Sequence, residues 1–312
     1  MANVDRSSVL LNPGGLGVRT QSWSLRYAPH IGYHPPETPL FKALVGADPV
    51  DHIHFAAQQG MAGILDPWAA DRPQEQRSLI GRALAETGLE YGCISATPLR
   101  HIREPIWVAT GGDAREQVRG HIANALTVAR ELGSHVLAVL IVADESSTAR
   151  QRKIAIAHLR EAADLTAVAG VKLAIEPMIS FPNMLLKNFA DGVELVRTLN
   201  HESVGLIFDT AHVAVMGEPV LETYVRAYDD IFSLQLADLP GRIEPGAGEL
   251  EFIGVLSTAM KRGFGGLVEL EHHWSKPGEA AERLGLELLR DIDRRAAAAA
   301  RGADLDWLPG HA

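Results

Sequence analysis

One regularity constrains this chain more than any other: short apolar runs alternate with longer stretches of helical period. The runs fall at 24–31, 63–66, 90–95, 135–141, 172–176, 205–209, 231–237 and 266–271. Amphipathic segments such as 114–132, 148–168 and 190–199 lie between them. Strands that alternate with helices predict parallel βαβ units. Eight such units predict an α/β fold closed into a (β/α)8 TIM barrel. Such barrels take roughly 250 residues, and this chain has 312. The expected organisation is an N-terminal arm over 1–23, a barrel over 24–292 and a helical C-terminal tail over 293–312. Gly133, Gly170, Gly263 and Gly265 stand between helical segments and the following strand, where a left-handed cap returns the chain to the barrel. Pro67 and Pro177 follow Asp66 and Glu176, where a strand must stop. The competing fold is an open doubly wound sheet. Its nucleotide-binding version wants a glycine-rich turn after the first strand, and Gly32-Tyr33-His34-Pro35-Pro36 does not supply one.

Composition narrows the setting. The hydrophobic share is 46% and the charged share 22%, ordinary for a soluble globular protein. The lone Cys93 cannot form an internal disulfide, which points to a reducing, cytoplasmic location. The start, MANVDRSS, lacks a basic segment followed by an apolar run. No window approaches the roughly 20 apolar residues of a membrane span. A net charge of −10 opposes phosphate neutralisation, so nucleic acid is not an expected partner. The expected partner is a small-molecule substrate. The segment Asp304 to Pro309 could pack beneath the barrel or on a second subunit, which leaves a homo-oligomer or partner subunit open.

In a closed parallel barrel the chemistry collects at the carboxyl ends of the strands. Four consecutive runs end on an oxygen-bearing side chain: Glu176, Asp209, Gln235 and Glu271. Carboxylates converging on one mouth repel unless a cation or a proton neutralises them. Oxygen donors without thiolates suit one hard or borderline divalent metal, Mg²⁺ or Mn²⁺, rather than structural zinc. Glu269 competes with Glu271, since both point to the same side of the last strand. Glu271 lies nearer the mouth and is the expected ligand. The loop from Asp238 to Glu249 carries Pro240-Gly241 and Pro245-Gly246, turn formers that favour one conformation. It would hold Arg242 over the site for an anionic or polyhydroxylated substrate. The alternative is an internal pair of Arg242 with Glu244 or Glu249.

The segment from Gln235 to Glu249, QLADLPGRIEPGAGE, closely resembles the strand-seven motif of hydroxypyruvate isomerases, in the xylose isomerase-like superfamily of sugar isomerases and epimerases. Glu176-Pro177-Met178 is similar to that family's Glu-Pro-Leu, and Asp209-Thr210-Ala211-His212 to its Asp-x-Tyr-His. The likeness runs from about residue 24 to 292. It implies that Glu176, Asp209, Gln235 and Glu271 bind one Mg²⁺ or Mn²⁺. It also implies that Glu176 and Glu271 are the proton-transferring catalytic pair, and that His212 and Arg242 bind substrate oxygens. The implied activity is isomerisation or epimerisation of a sugar or hydroxy-keto acid through an enediolate. Elimination by a lyase on the same scaffold (a dehydratase, or an enzyme cleaving 3-keto glycosides) is the second reading, prompted by His272 and His273 near the mouth. A non-catalytic sugar-binding barrel is the third.

Departures from the family pattern suggest a reshaped pocket. The second strand ends in Asp66 rather than glutamate, and Met178-Ile179-Ser180 stands where asparagine is usual. Ala211 replaces a tyrosine, and His272 follows Glu271 in place of another. His30, Trp68, His101, Trp107, His272 and Trp274 are candidates to line the pocket, each with ordinary packing as the alternative.

Overall fold

The computed structural model describes residues 22–32, 38–144 and 149–302. The expected arm up to position 21, and the segment from Asp304 to Pro309, lie outside the described residues. The wall of the fold comprises β1 (Tyr27–Pro29), β2 (Gly63–Ile64), β3 (Glu90–Tyr91), β4 (Ile94–Ser95), β5 (Val136–Val139), β6 (Lys172–Ile175), β7 (Val204–Asp209), β8 (Ile231–Leu236) and β9 (Val268–Leu270). Around it run α1 (Lys42–Val45), α2 (Pro49–Gln58), α3 (Gln74–Thr87), α4 (Gly112–Leu132) and α5 (Ala149–Val168). They are followed by α6 (Phe189–Leu199), α7 (Thr210–Val215), α8 (Val220–Ala227), α9 (Ile253–Arg262) and α10 (Glu279–Ala300). Helices α3, α4 and α9 end on Gly88, Gly133 and Gly263 with φ near +72°, the left-handed cap that a Cβ would strain.

Every strand pairing is parallel. One sheet runs β1-β9-β8-β7-β6-β5-β4, and β2 pairs with β3. The ring closes through a parallel bridge between His30 and Leu65, with Leu65 N donating to Pro29 O at 2.9 Å. On the far side Ser95 N donates to Pro67 O at 2.7 Å. The result is an eight-stave TIM barrel. The third stave, expected as one strand over 90–95, is instead broken between β3 and β4. The Cys93 N–H donates to the Glu269 carboxylate inside the barrel, 2.8 Å away, instead of to a neighbouring strand.

Alternation along each strand sorts the side chains. Leu173 and Ile175 pack outward under the helices, while Ala174 joins Leu65, Cys93, Ala138 and Ile207 in a separate apolar layer inside the barrel. Continuing by two along each stave leads from Ala174 to Glu176 and from Ile207 to Asp209. Likewise Ser233 leads to Gln235, and Glu269 to Glu271. The polar layer therefore sits directly above the inner core. Helix α10 passes position 293 without a break, and Ala296 and Ala297 are buried. Its Asp293 accepts hydrogen bonds from Tyr27 Oη and Ser24 N, both 3.0 Å, tying the last helix to the first stave.

Candidate active site

Each expected site residue is placed by a local device. Glu176 lies one residue past β6, just before Pro177 stops the strand. Asp209 ends β7 and caps α7, its carboxylate accepting from His212 N at 2.8 Å. That cap brings His212 over the same mouth as Asp209. Gln235 lies on β8, and its Nε2 donates to Glu269 at 3.0 Å and to Cys93 Sγ at 3.7 Å. Glu271 follows β9, with its N–H on Leu236 O.

Arg242 arrives from the loop after β8, and Asp238 builds that loop. The Asp238 carboxylate accepts four backbone N–H groups, from Leu239, Gly246, Gly248 and Leu250, at 2.8–2.9 Å. A Cβ at Gly248 would stand 2.2 Å from Leu239 O, so only glycine allows the loop to close this tightly. Arg242 itself has φ +55°, the left-handed region that a non-glycine residue occupies only when its surroundings hold it there. Its guanidinium bridges two of the expected ligands. Nη2 lies 2.7 Å from Asp209 Oδ2 and 2.9 Å from Glu271 Oε2, and Nη1 lies 3.1 Å from Asp209 Oδ1. The alternative pair with Glu244 does not form, because Glu244 accepts from Ser275 N and Oγ instead.

Glu176, His212, Gln235, Arg242 and Glu271 line one cavity of about 460 Å³, with Asp209 behind Arg242. A wider groove of about 640 Å³ lies where the strands begin, around Arg26, Glu90 and Lys172, and holds none of these six residues. Of the other expected lining residues Trp68 is at the cavity, whereas His30, His101, Trp107, His272 and Trp274 are not. His272 is buried against Trp274, with its Nδ1 3.0 Å from His273 O, and does not line the cavity, so it adds no support to the elimination reading it prompted. Asp66 is likewise withdrawn, held by Arg72 at 2.5 Å and by Tyr91 Oη at 2.7 Å. Sequence reasoning missed Arg100, Arg103 and Phe181 at the cavity wall. They come from loops without strand-end pattern. Ser180 Oγ stands 3.4 Å from His212 Nδ1.

The electrostatics follow from burial. Glu176 is raised well above the carboxylate range, first by burial and then by Glu271 and Asp209. Glu271 is pushed up to about 8 by burial, against the pull of Arg242. Burial would also raise Asp209, but Arg242 and His212 together hold it below its ordinary value. His212 is lowered to about 4 by burial and is neutral near pH 7. Burial raises Glu269 against four hydrogen bonds that favour its ionised form, two from Cys93 and one each from Ser233 and Gln235.

The donor set fits a divalent cation. Glu176 Oε1 and Gln235 Oε1 are buried without a hydrogen-bond partner, an arrangement that costs free energy unless something accepts their lone pairs. One ligand atom each from Glu176, Asp209 and His212 lies within 4.8 Å of the others. That compact trio includes His212, to which the family resemblance gave substrate binding.

A parallel eight-stave barrel with acids gathered at its strand ends defines the class. Residues 36–292 match the xylose isomerase-like TIM barrel family, and the chain belongs to it. Among curated relatives it is similar to 2-oxo-tetronate isomerase of Cupriavidus necator, 30% identical over 159 residues, 49% of this chain and 61% of the relative. It is also similar to hydroxypyruvate isomerase of Escherichia coli, 26% identical over 172 residues, 54% of this chain and 67% of the relative. The chain thus spans about three-fifths to two-thirds of the length of these two relatives, both of which are isomerases. Among solved structures, an AP endonuclease of family 2 from Brucella melitensis superposes with a TM-score of 0.70 at 21% identity. The superposition covers 82% of this chain and 96% of that one, a likeness of fold. Among the described residues, no helix is long and apolar enough to cross a membrane.

Proposed function

We propose that this chain is a divalent-metal-dependent isomerase or epimerase of a small sugar or hydroxy-keto acid. One observation carries the reading: two buried oxygens, Glu176 Oε1 and Gln235 Oε1, make no hydrogen bond at a mouth shared with Asp209, His212 and Glu271, with His212 Nε2 3.5 Å from Glu176 Oε1. Glu176, Asp209, Gln235 and Glu271 would hold one Mg²⁺ or Mn²⁺, with His212 within reach as a further donor. When bound, such an ion polarises a carbonyl and makes the neighbouring C–H more acidic.

The remaining chemistry belongs to the side chains. One of Glu176 and Glu271 removes the proton next to the carbonyl, and the other, or the same one, returns a proton at the adjacent carbon. In the metal-free fold burial lifts Glu271 to about 8, and a bound cation would favour its ionised form, leaving a carboxylate able to take the proton. Arg242 fixes the Glu271 carboxylate and presents positive charge to substrate oxygens. His212, neutral near pH 7, lines the cavity and would contact a substrate oxygen.

The test is direct. Purified protein should contain bound divalent metal, and EDTA should abolish turnover when hydroxypyruvate, four-carbon 2-oxo acids, ketoses and 3-keto glycosides are screened. Metal-free protein that is indifferent to EDTA would refute the reading. Eliminated rather than isomerised product would replace it with the lyase.

A further inference from the structure

Glu269 is two residues before Glu271 and faces the same side of the last stave, yet it does not reach the cavity. It is 1% exposed and sits one layer lower, inside the barrel. Its Oε1 accepts from the Cys93 backbone N–H at 2.8 Å. Its Oε2 accepts from Ser233 Oγ at 2.8 Å and from Gln235 Nε2 at 3.0 Å. The seat is shaped for it, because a Cβ at Gly92 would stand 2.4 Å from Glu269 Oε1. The same contact explains the break in the third stave.

We propose that Glu269 is a positioning residue that orients the Gln235 side-chain amide so that Oε1 faces the metal position. The inference rests on reading the mouth as a metal centre. A side-chain amide has a donor end and an acceptor end that are nearly identical in shape, so packing alone does not choose between them. A carboxylate only accepts, so it must meet the Nε2 end. The Oε1 end is then turned toward the mouth, where it has no hydrogen-bond partner. Groups that orient a metal ligand typically change metal affinity 10- to 100-fold when altered.

Charge and shape can be separated by substitution. In Glu269→Gln the Cys93 N–H still requires an oxygen at the Oε1 position. The new amide nitrogen must then face Ser233 and Gln235. Ser233 Oγ can accept from it, but Gln235 meets it favourably only by turning over, which sends Nε2 into the metal position. The double variant Glu269→Gln with Gln235→Glu restores the pair with donor and acceptor exchanged, and puts a carboxylate oxygen back at the mouth.

The experiment is a titration of metal-free full-length protein with Mn²⁺, followed by calorimetry and by the electron paramagnetic resonance of free Mn²⁺, with near-ultraviolet circular dichroism to check the fold. Glu269→Gln should bind Mn²⁺ roughly 10- to 100-fold more weakly than wild type. The double variant should return to within about tenfold of wild type, a rescue that loss of packing would not produce. Wild-type affinity in Glu269→Gln, or no recovery in the double variant, overturns the inference while leaving the metal centre standing. If Glu269→Gln does not fold, the double variant decides alone by the same criterion. Wild type that binds no Mn²⁺ overturns the metal reading itself and the inference with it.

Discussion

Glu176, Asp209 and Glu271 crowd one mouth, with the Arg242 guanidinium between the last two. Glu271 is raised from 4.5 to about 8, chiefly by burial. A folded-state value above the unfolded one means stability present below pH 4.5 that is lost as pH rises through 8. A bound cation displaces that proton and removes the penalty. The gain in melting temperature from saturating Mn²⁺ should therefore be larger near pH 8 than near pH 5, measured by thermal scans across that range. A gain that does not vary with pH would contradict the assignment. Glu271→Gln should lower kcat roughly 100- to 10,000-fold and abolish exchange of solvent deuterium into substrate, read by NMR. Retained exchange would remove Glu271 from the proton-transferring pair. At this scale the oxygen-bearing side chains of the mouth and their strand-end positions were legible in the sequence. The partner of Arg242 was not, because Asp209 lies 33 residues and Glu271 29 residues away along the chain.

The loop after β8 behaves as an element in its own right. Its turn formers announced a single conformation, but the group that holds it is Asp238, whose four backbone donors converge only once the chain has folded back on itself. Asp238→Ala leaves those N–H groups without their acceptor. It should cost at least about 3 kcal/mol in urea unfolding and lower kcat through Arg242. A loss below about 1 kcal/mol would show that water satisfies the loop equally well. The third stave makes the complementary point. Its apolar run reads as one strand, whereas the structure turns Cys93 N–H inward to Glu269, 176 residues away. No local pattern encodes that preference.

For the molecule as a whole, buried histidines set the acid limit. His30 is lowered from 6.5 to about 3 by burial, and His272 from 6.5 to about 4. Both stay neutral in the fold while the unfolded chain takes up protons below pH 6.5. Stability should fall as pH drops from about 6.5 toward 4, by up to about 1.4 kcal/mol per pH unit for each histidine. Chemical unfolding at stepped pH measures it, and His30→Asn should flatten part of that slope. A profile unchanged by the substitution would place the acid sensitivity elsewhere.

By itself, the sequence determined the eight-stave order and the four oxygen-bearing side chains that end consecutive staves at the mouth. Apolar period, glycine caps and strand-end residues are local signals, and a closed parallel barrel converts them directly into position. Only the tertiary structure decided what those donors meet. It set Arg242 between Asp209 and Glu271, brought His212 into reach of Glu176, buried His272 away from the cavity, and placed Glu269 beneath Gln235. The physical reason is that hydrogen bonding and desolvation depend on neighbours brought together from different staves, which no single segment of the chain contains.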